Sequence, residues 1–470
     1  MTSDPIFRVE RDPLGEKAVP ADAYYGVQTA RAVDNFPISG LRAQAPLITA
    51  TVLIKKAAAQ ANAALGRLDR PLADAIVRAA DEVAGGALRD QFVVDVYQAG
   101  AGTSHNMNAN EVLANRAEEL LGGQRGEYAR VHPNDHVNMG QSTNDVFPTA
   151  TRLALLMEHA GLVAAARALA AALGRKADAF AHVLKVGRTH LQDAVPMTLG
   201  QEFGGYAACV DRAADDVEYA AGHLRELNLG ATAVGTGLNA GDDFTARAVT
   251  SLSAVVAGVK PAVNRFRVTQ SMGDVVAYSG ALRRLAIEVN KIASDLRLLS
   301  SGPRAGLAEI RLPAVQPGSS IMPGKINPSI AEMTNQVCYQ VIGCDATVCA
   351  AADAGQLELN VMMPVIAWNA LHAAAILRAA MATLTTRCID GIDADEARCR
   401  ELLDRSTAVA TALSPHIGYA ATAEIAKESV RTGTSVRDLV LARGLLDAEA
   451  LDRILSVDAM TRPGVTGDKA

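Results

Sequence analysis

Apolar residues recur at helical spacing through most of this chain, and strict two-residue alternation is scarce. From Ala150 to Phe180 helix formers run almost without a break. Leu153, Leu156, Met157, Val163, Leu169 and Leu173 supply apolar sites, with Arg152, Glu158, Arg167, Arg175 and Lys176 between them. Similar stretches extend from about Gln201 to Leu227, Ser271 to Leu299, Ser329 to Ala352 and Pro364 to Thr386. Five long helices predict an all-α bundle. An aromatic content of 4% with abundant alanine fits small side chains at close helix contacts. Little of the sequence reads as strand.

Between the helical stretches lie segments rich in Gly, Pro, Asn, Ser and Thr, read as loops: Gly100 to Asn108, His132 to Asn144, Gly187 to Pro196, Gly230 to Gly241 and Gly318 to Pro328. Loops held by rigid elements are where chemistry concentrates. A change of composition at Cys388 to Asp395 marks a boundary to a smaller C-terminal helical domain. A length of 470 residues fits about three domains.

With 49% hydrophobic residues the chain can bury a large core. The net charge of -6 and pI near 5.9 exclude a global basic field for nucleic acid or an anionic membrane, so an anionic substrate requires a local positive site. The six cysteines show no CxxC spacing and read as reduced, mostly buried thiols. Charges interrupt the first twelve residues too often for a signal peptide, which predicts a cytoplasmic protein. Leu359 to Leu377 carries no formal charge, but its Asn360, Pro364, Asn369 and His372 suit a buried bundle helix better than a membrane span.

Three loops share Thr, Ser, Asn, Gly and His: Ala101 to Asn106, Gly140 to Asp145, and Gly187 to Asp193. Short hydroxyl and amide side chains beside glycine bring neutral donors close to a small anion, although the same residues also cap helices and make turns. The fourth loop, Gly318-Ser319-Ser320-Ile321-Met322-Pro323-Gly324-Lys325-Ile326-Asn327-Pro328, adds a cation. It is not a phosphate-binding P-loop: five residues separate Gly318 from Gly324, Ile326 stands where Ser or Thr would bind magnesium, and no strand precedes it. A metal site is unsupported, because His132 and His136 flank Pro133-Asn134 and no other histidine pair has a helical ligand spacing with a carboxylate.

Gly318 to Pro328 resembles the signature of the aspartase/fumarase superfamily, and the other three loops resemble that family's motif regions in the same order. The likeness runs from Ala21-Asp22-Ala23-Tyr24-Tyr25-Gly26 to Met460-Thr461-Arg462-Pro463-Gly464. It implies an all-α fold of three domains: residues 1–142, mainly helical; 143–396, a central long-helix bundle that assembles into a tetrameric core; and 397–470, small and helical. It also implies a homotetramer whose composite active sites take loops from three subunits, and chemistry that needs no cofactor.

Gly100 to Ser104, Gln141 to Asn144, Leu298 to Leu307 and Ala354 to Met362 are similar to the ammonia-lyase branch, which takes ammonia from L-aspartate to leave fumarate. Ala114 to Gly123 and Val131 to Asp135 are similar to the hydratase branch, the class II fumarases. A third reading is a non-catalytic structural member, since the fold also serves as a lens protein; the intact loops argue against it. For ammonia loss the resemblance assigns Ser319 as the base that removes the Cβ proton. Thr103, Ser142, Thr143 and Ser320 receive the β-carboxylate as it becomes an aci-carboxylate, and Lys325 and Asn327, assisted by Thr189, hold the α-carboxylate. Asn144 and His190 meet the departing amino group, with His190 the competitor for the role of base. Glu332 is either a partner of His190 or Lys325 or a solvated helix-face carboxylate, His132 and Asn134 resemble a second anion-binding segment of fumarases but suit turn capping better, and Arg188 is either a buried pair or an attractor for the dianion.

Overall fold

The computed structural model of the protein describes residues 6–465. The first residues of the segment read against a leader, and the end of the domain expected to reach residue 470, lie outside the described residues. Two antiparallel strands, β1 (Phe7–Asp12) and β2 (Gly15–Pro20), precede the helices α1 (Val27–Asn35), α2 (Ala45–Ala64), α3 (Arg70–Ala84) and α4 (Thr103–Leu120). The long helix α5 (Thr143–Ala179) leads to a hairpin, β3 (Leu184–Thr189) with β4 (Gln192–Thr198), and to α6 (Leu199–Ala221). Then follow α7 (Asp242–Ser253), α8 (Arg265–Gln270), α9 (Gly273–Leu299), α10 (Ser329–Asp353), α11 (Met363–Arg387) and α12 (Glu396–Arg405). Five further short helices between Ala410 and Thr461 complete the described chain.

The five long helices expected from periodicity are present as α5, α6, α9, α10 and α11. Two ends differ substantially: α5 begins at Thr143, ahead of Ala150 and within the segment read as loop, and α6 stops at Ala221, where Gly222 opens a short 3₁₀ turn that leads into extended chain at Glu226–Leu227, instead of continuing to Leu227. Two segments read as loops are ordered otherwise. Gly187 to Pro196 lies in the β3–β4 hairpin, whose alternation is broken by Gly187 and a register shift between Val186 and Arg188. From Thr103 onward the Gly100–Asn108 segment is helix, because its polar residues His105, Asn106 and Asn108 are buried and donate to or accept from tertiary partners.

The chain divides into two compact units: Met1–Val163 with Asp215–Ala286 and Tyr339–Arg378, and Ala164–Ala214 with Ile287–Cys338 and Ala379–Ala470. In the first, α2, α3 and α4 pack through small side chains. Val52, Ala59, Ile76, Ala79, Val83, Val112 and Leu113 form its core. Prolines in the first turns of α2 and α3 suit helix starts, since their missing N–H groups would be unpaired there anyway. In the second unit the hairpin residues Leu184 and Val186 join Leu403, Leu413, Ile425, Val440 and Leu451 of the C-terminal helices in one cluster. α5 and α11 are long and apolar enough to cross a membrane by length and composition alone. In the first unit, α11 buries Met363, Ile366, Ala367, Ala370, Leu371 and Leu377, as a core helix does. Cys338, Cys344, Cys388 and Cys399 are free thiols and buried.

Candidate active site

In the first unit, two successive left-handed residues, Ala101 (φ 60°) and Gly102 (φ 84°), break the chain and start α4 at Thr103. The Ala101 N–H donates to the Val361 carbonyl at 2.8 Å, which anchors the break. A Cβ on Gly102 would lie 2.1 Å from Cδ2 of Phe147, so only glycine fits this contact between α4 and α5. Thr103 is left exposed in the first turn of α4, its Oγ1 3.4 Å from the Gly100 carbonyl.

The start of α5 is a capping box. Ser142 Oγ accepts from the Asn144 N–H (3.2 Å), and Asp145 Oδ1 accepts from the Ser142 N–H (2.9 Å). Asp145 is fully buried, and its other oxygen accepts from the N–H groups of Gly230 and Thr232, both at 2.9 Å. Burial pushes its pKa up to about 7 against the pull of those donors and of Lys55. Asn144 spends its Nδ2 on the Ala233 carbonyl at 2.9 Å. Thr143 Oγ1 accepts from Asn106 Nδ2 (3.2 Å), which leaves its own O–H to donate elsewhere. The long helix adds the partial positive charge of its N-terminus at this point. Behind lies Lys55, fully buried, donating to Asn138 Oδ1 at 2.9 Å, its ammonium lowered by burial to about 7. His105 is buried between Phe92 and Phe147, with Nε2 3.0 Å from Thr51 Oγ1; burial, then the Lys55 charge, lower it to about 4.

In the second unit, Thr189 and His190 stand at the tip of the β3–β4 hairpin. Thr189 pairs with Gln192, so His190 (φ 56°) and Leu191 (φ 58°) form a two-residue turn with positive φ at both places. That pattern belongs to a type I′ turn and favours Asn-Gly; holding His and Leu in it costs roughly 1–2 kcal/mol per residue. Both are exposed. The base of the hairpin is an ion cluster on the fully buried Glu309. Arg188 reaches both of its oxygens, at 3.1 and 3.0 Å, and Lys185 bridges Glu309 (3.0 Å) and Glu202 (2.6 Å). Arg188 is therefore a buried pair, and the strained turn rests on a rigid foundation.

The serine loop of the second unit folds on itself. The Gly318 N–H donates to the Lys325 carbonyl (2.8 Å), and Asn327 Nδ2 to the Gly318 carbonyl (2.7 Å). A Cβ on Gly318 would meet that Lys325 carbonyl at 2.4 Å, which requires glycine. Inside this ring Ser319 Oγ accepts from the N–H groups of Met322 (3.0 Å) and Ile321 (3.2 Å). An oxygen with two backbone donors is one whose negative form is stabilised in advance. Ser320 and Lys325 are exposed, and Ser319, Met322, Gly324 and Lys325 line a concavity of about 460 Å³ with Val315 and Gln316.

Among the described residues no ion pair joins Glu332 to His190 or Lys325. His132 caps a turn: its Nδ1 accepts from the N–H groups of Asn134 and Asp135, both at 3.3 Å. The residues that support the first-unit donors, Lys55, Asn106, Asn138 and Asp145, were not singled out from the sequence. Lys55 had one available signal, shared with its neighbour Lys56: a pair of charges inside the apolar run Val52-Leu53-Ile54 to Ala57-Ala58-Ala59.

Two families match the chain. The one described as Lyase spans residues 15–343, and the one described as Fumarase C C-terminus spans residues 409–462. Aspartate ammonia-lyase of Bacillus subtilis (strain 168) is 49% identical over 464 residues, 98% of this chain and 97% of the relative. That of Escherichia coli (strain K12) is 49% identical over 460 residues, 97% and 96% of the two chains. A solved fumarate lyase:delta crystallin from Brucella melitensis, bound to cobalt, has a TM-score of 0.94 at 51% identity, covering 97% of this chain and 100% of that one. The class II fumarase of Schistosoma mansoni has the same TM-score and coverage at 38% identity. The fold therefore does not separate the branches, but identity over the full length does, and the fumarase-like segments Ala114–Gly123 and Val131–Asp135 are local. The chain belongs to the aspartase/fumarase superfamily, within the carbon–nitrogen lyases of the aspartate ammonia-lyase group.

Proposed function

We propose that the protein deaminates L-aspartate reversibly to fumarate and ammonia through a Cβ carbanion. The observation that carries the chemistry is the Ser319 hydroxyl, whose Oγ sits under two backbone N–H groups beside the exposed Lys325. A serine hydroxyl is a poor base at neutral pH; those donors and the lysine charge favour its oxyanion once the loop is covered from water. Ser319 removes the Cβ proton. The electrons pass into the β-carboxylate, which becomes an aci-carboxylate held by Thr103, Ser142, Thr143 and Ser320. Lys325 and Asn327, with Thr189, hold the α-carboxylate, and Asn144 and His190 face the amino group as the C–N bond breaks. One lost oxyanion donor costs about 2.7–4 kcal/mol, so a set of four has the magnitude the reaction needs, even without simple additivity.

The protein acts as a cytoplasmic homotetramer, with sites composed of loops from different subunits. The free cysteines fit a reducing compartment, and exposed Ser320, Lys325 and His190 fit loops that a neighbouring subunit covers. Purified protein given fumarate, with and without ammonium, tests the reaction: loss of the double bond only with ammonium is expected, and malate formed without it overturns the reading. Mixing the inactive variants Ser319→Ala and Thr143→Ala under conditions that reshuffle subunits tests the composite site. Regained activity is expected; none regained, while the subunits exchange, overturns it.

A further inference from the structure

Lys55 occupies the middle of α2 among buried Val52, Ile54, Ala57 and Ala58, and is itself fully buried. An ammonium in such a place costs several kcal/mol unless a carboxylate pairs with it. Among the described residues none does: the hydrogen-bond partner of Nζ is the amide oxygen of Asn138. That oxygen also accepts from Nδ2 of Asn106 and of Asn110, each at 3.2 Å and one turn apart on α4. The Asn106 amide then donates to Thr143 Oγ1. Oδ1 of Asn106 and of Asn110 stays buried without a partner. A cluster that gives up hydrogen bonds and buries a charge without a carboxylate departs from what stability alone selects, and such departures concentrate at functional sites.

The elimination asks for that charge. Thr103, Ser142, Thr143 and Ser320 are neutral, whereas the carbanion places a second negative charge on the β-carboxylate. We propose that Lys55 is the counter-charge of this site, a positioning residue that holds the Thr143 hydroxyl as a donor through Asn138 and Asn106 and places a positive field beneath the aci-carboxylate. The inference rests on the elimination reading and adds to it the origin of charge compensation. Asp145 is the acid that acts on Lys55, and its oxygens are spent on the N–H groups of Ser142, Gly230 and Thr232, which weakens the field it returns to the lysine. The remaining counter-charge arrives with the substrate.

The test compares two forms of one ligand on the whole enzyme: a β-nitro analogue of aspartate with its nitro group un-ionised, and its nitronate, which gains the same single negative charge that a carboxylate gains on becoming an aci-carboxylate. In Lys55→Met the nitronate is expected to lose roughly 30-fold in affinity, the effect of a unit charge about 8 Å away at an effective dielectric of about 20. The un-ionised nitro form is expected to lose less than about 3-fold, and for aspartate both a rise in KM and a fall in kcat are expected, since the lysine charge acts on the β-carboxylate and acts again on the charge that develops there. Asn138→Asp gives a second reading should the methionine variant not fold, because it keeps the acceptor, pairs the lysine and cancels its field; the same selective loss is expected. Equal losses for both forms, or an unchanged nitronate affinity, in the folded variant overturn the inference. A wild-type protein that neither releases fumarate from aspartate nor prefers the nitronate to the un-ionised nitro form removes the elimination reading itself, a different result from selective failure in the variants.

Discussion

The donor cradle at the start of α5 and the serine loop are built on opposite plans. The cradle is backed by fully buried groups, Asp145, Lys55 and Asn106 among them, and its bonds reach far along the chain: Lys55 to Asn138, Asn106 to Thr143, Asp145 to Gly230. The serine loop is open to solvent over Ser320 to Ile326, and its bonds close within ten residues, Gly318 to Asn327. Charge stabilisation requires groups that do not reorganise as the reaction proceeds, and a buried network provides that. A base that must be reached by substrate and then sealed from water suits a small ring that keeps its own shape while exposed.

That contrast is open to direct attack. The largest effect is expected for Ser319→Ala: kcat falls by about 10²–10⁴-fold, the range of a positioned proton-transfer group, with the thermal transition unchanged by circular dichroism because the ring closes through Gly318, Lys325 and Asn327. Retained turnover would remove Ser319 as base. Next comes Thr143→Ala, expected to lower kcat by about 10²–10³-fold, with Thr143→Ser restoring most of it; equal activity of the two variants would show that the hydroxyl is not a donor.

Glycine replacements compare the backbones. Gly102→Ala drives a methyl group into Phe147 at φ 84° and is expected to cost about 1–3 kcal/mol in urea unfolding. Gly324→Ala, also at positive φ (79°) but with open space around its Cβ, is expected to cost only about 1 kcal/mol. Similar midpoints for the two would blur the contrast between rigid cradle and self-contained loop.

The smallest effect is a pH dependence at the cradle. His105 sits at about 4, below its ordinary 6.5, so between those values the unfolded chain binds a proton that the folded chain refuses. Its contribution is complete above pH 6.5 and is lost as pH falls toward 4. In His105→Gln the urea midpoint is expected to depend less steeply on pH across this window; an unchanged slope would assign the dependence to other groups.

The same contrast explains what the sequence made legible. The five long helices show their period over several turns each, and the serine loop carries its own bonding partners within a short segment, so both could be read locally. The β3–β4 hairpin could not, because Gly187 and the register shift interrupt its alternation and its paired residues do not look like strand. The start of α4 was hidden for another reason: Thr-Ser-His-Asn-Met-Asn reads as exposed loop until Gln98, Thr51, Asn138 and Thr143 supply partners for its buried polar groups. Lys55 and Asn138 are 83 residues apart, and nothing local ties them. Glu309, ten positions before Ser319, gave no sign that it anchors the hairpin of His190.

The contact of Gly102 with Phe147 works as a gauge. It sets how closely α4, with Thr103 at its tip, approaches α5, with Ser142 and Thr143 at its tip. The spacing of those hydroxyls is thus dictated by an aromatic ring edge. Resizing that ring, with every hydroxyl left in place, is the route by which this scaffold would be retuned from one acid group to a larger one.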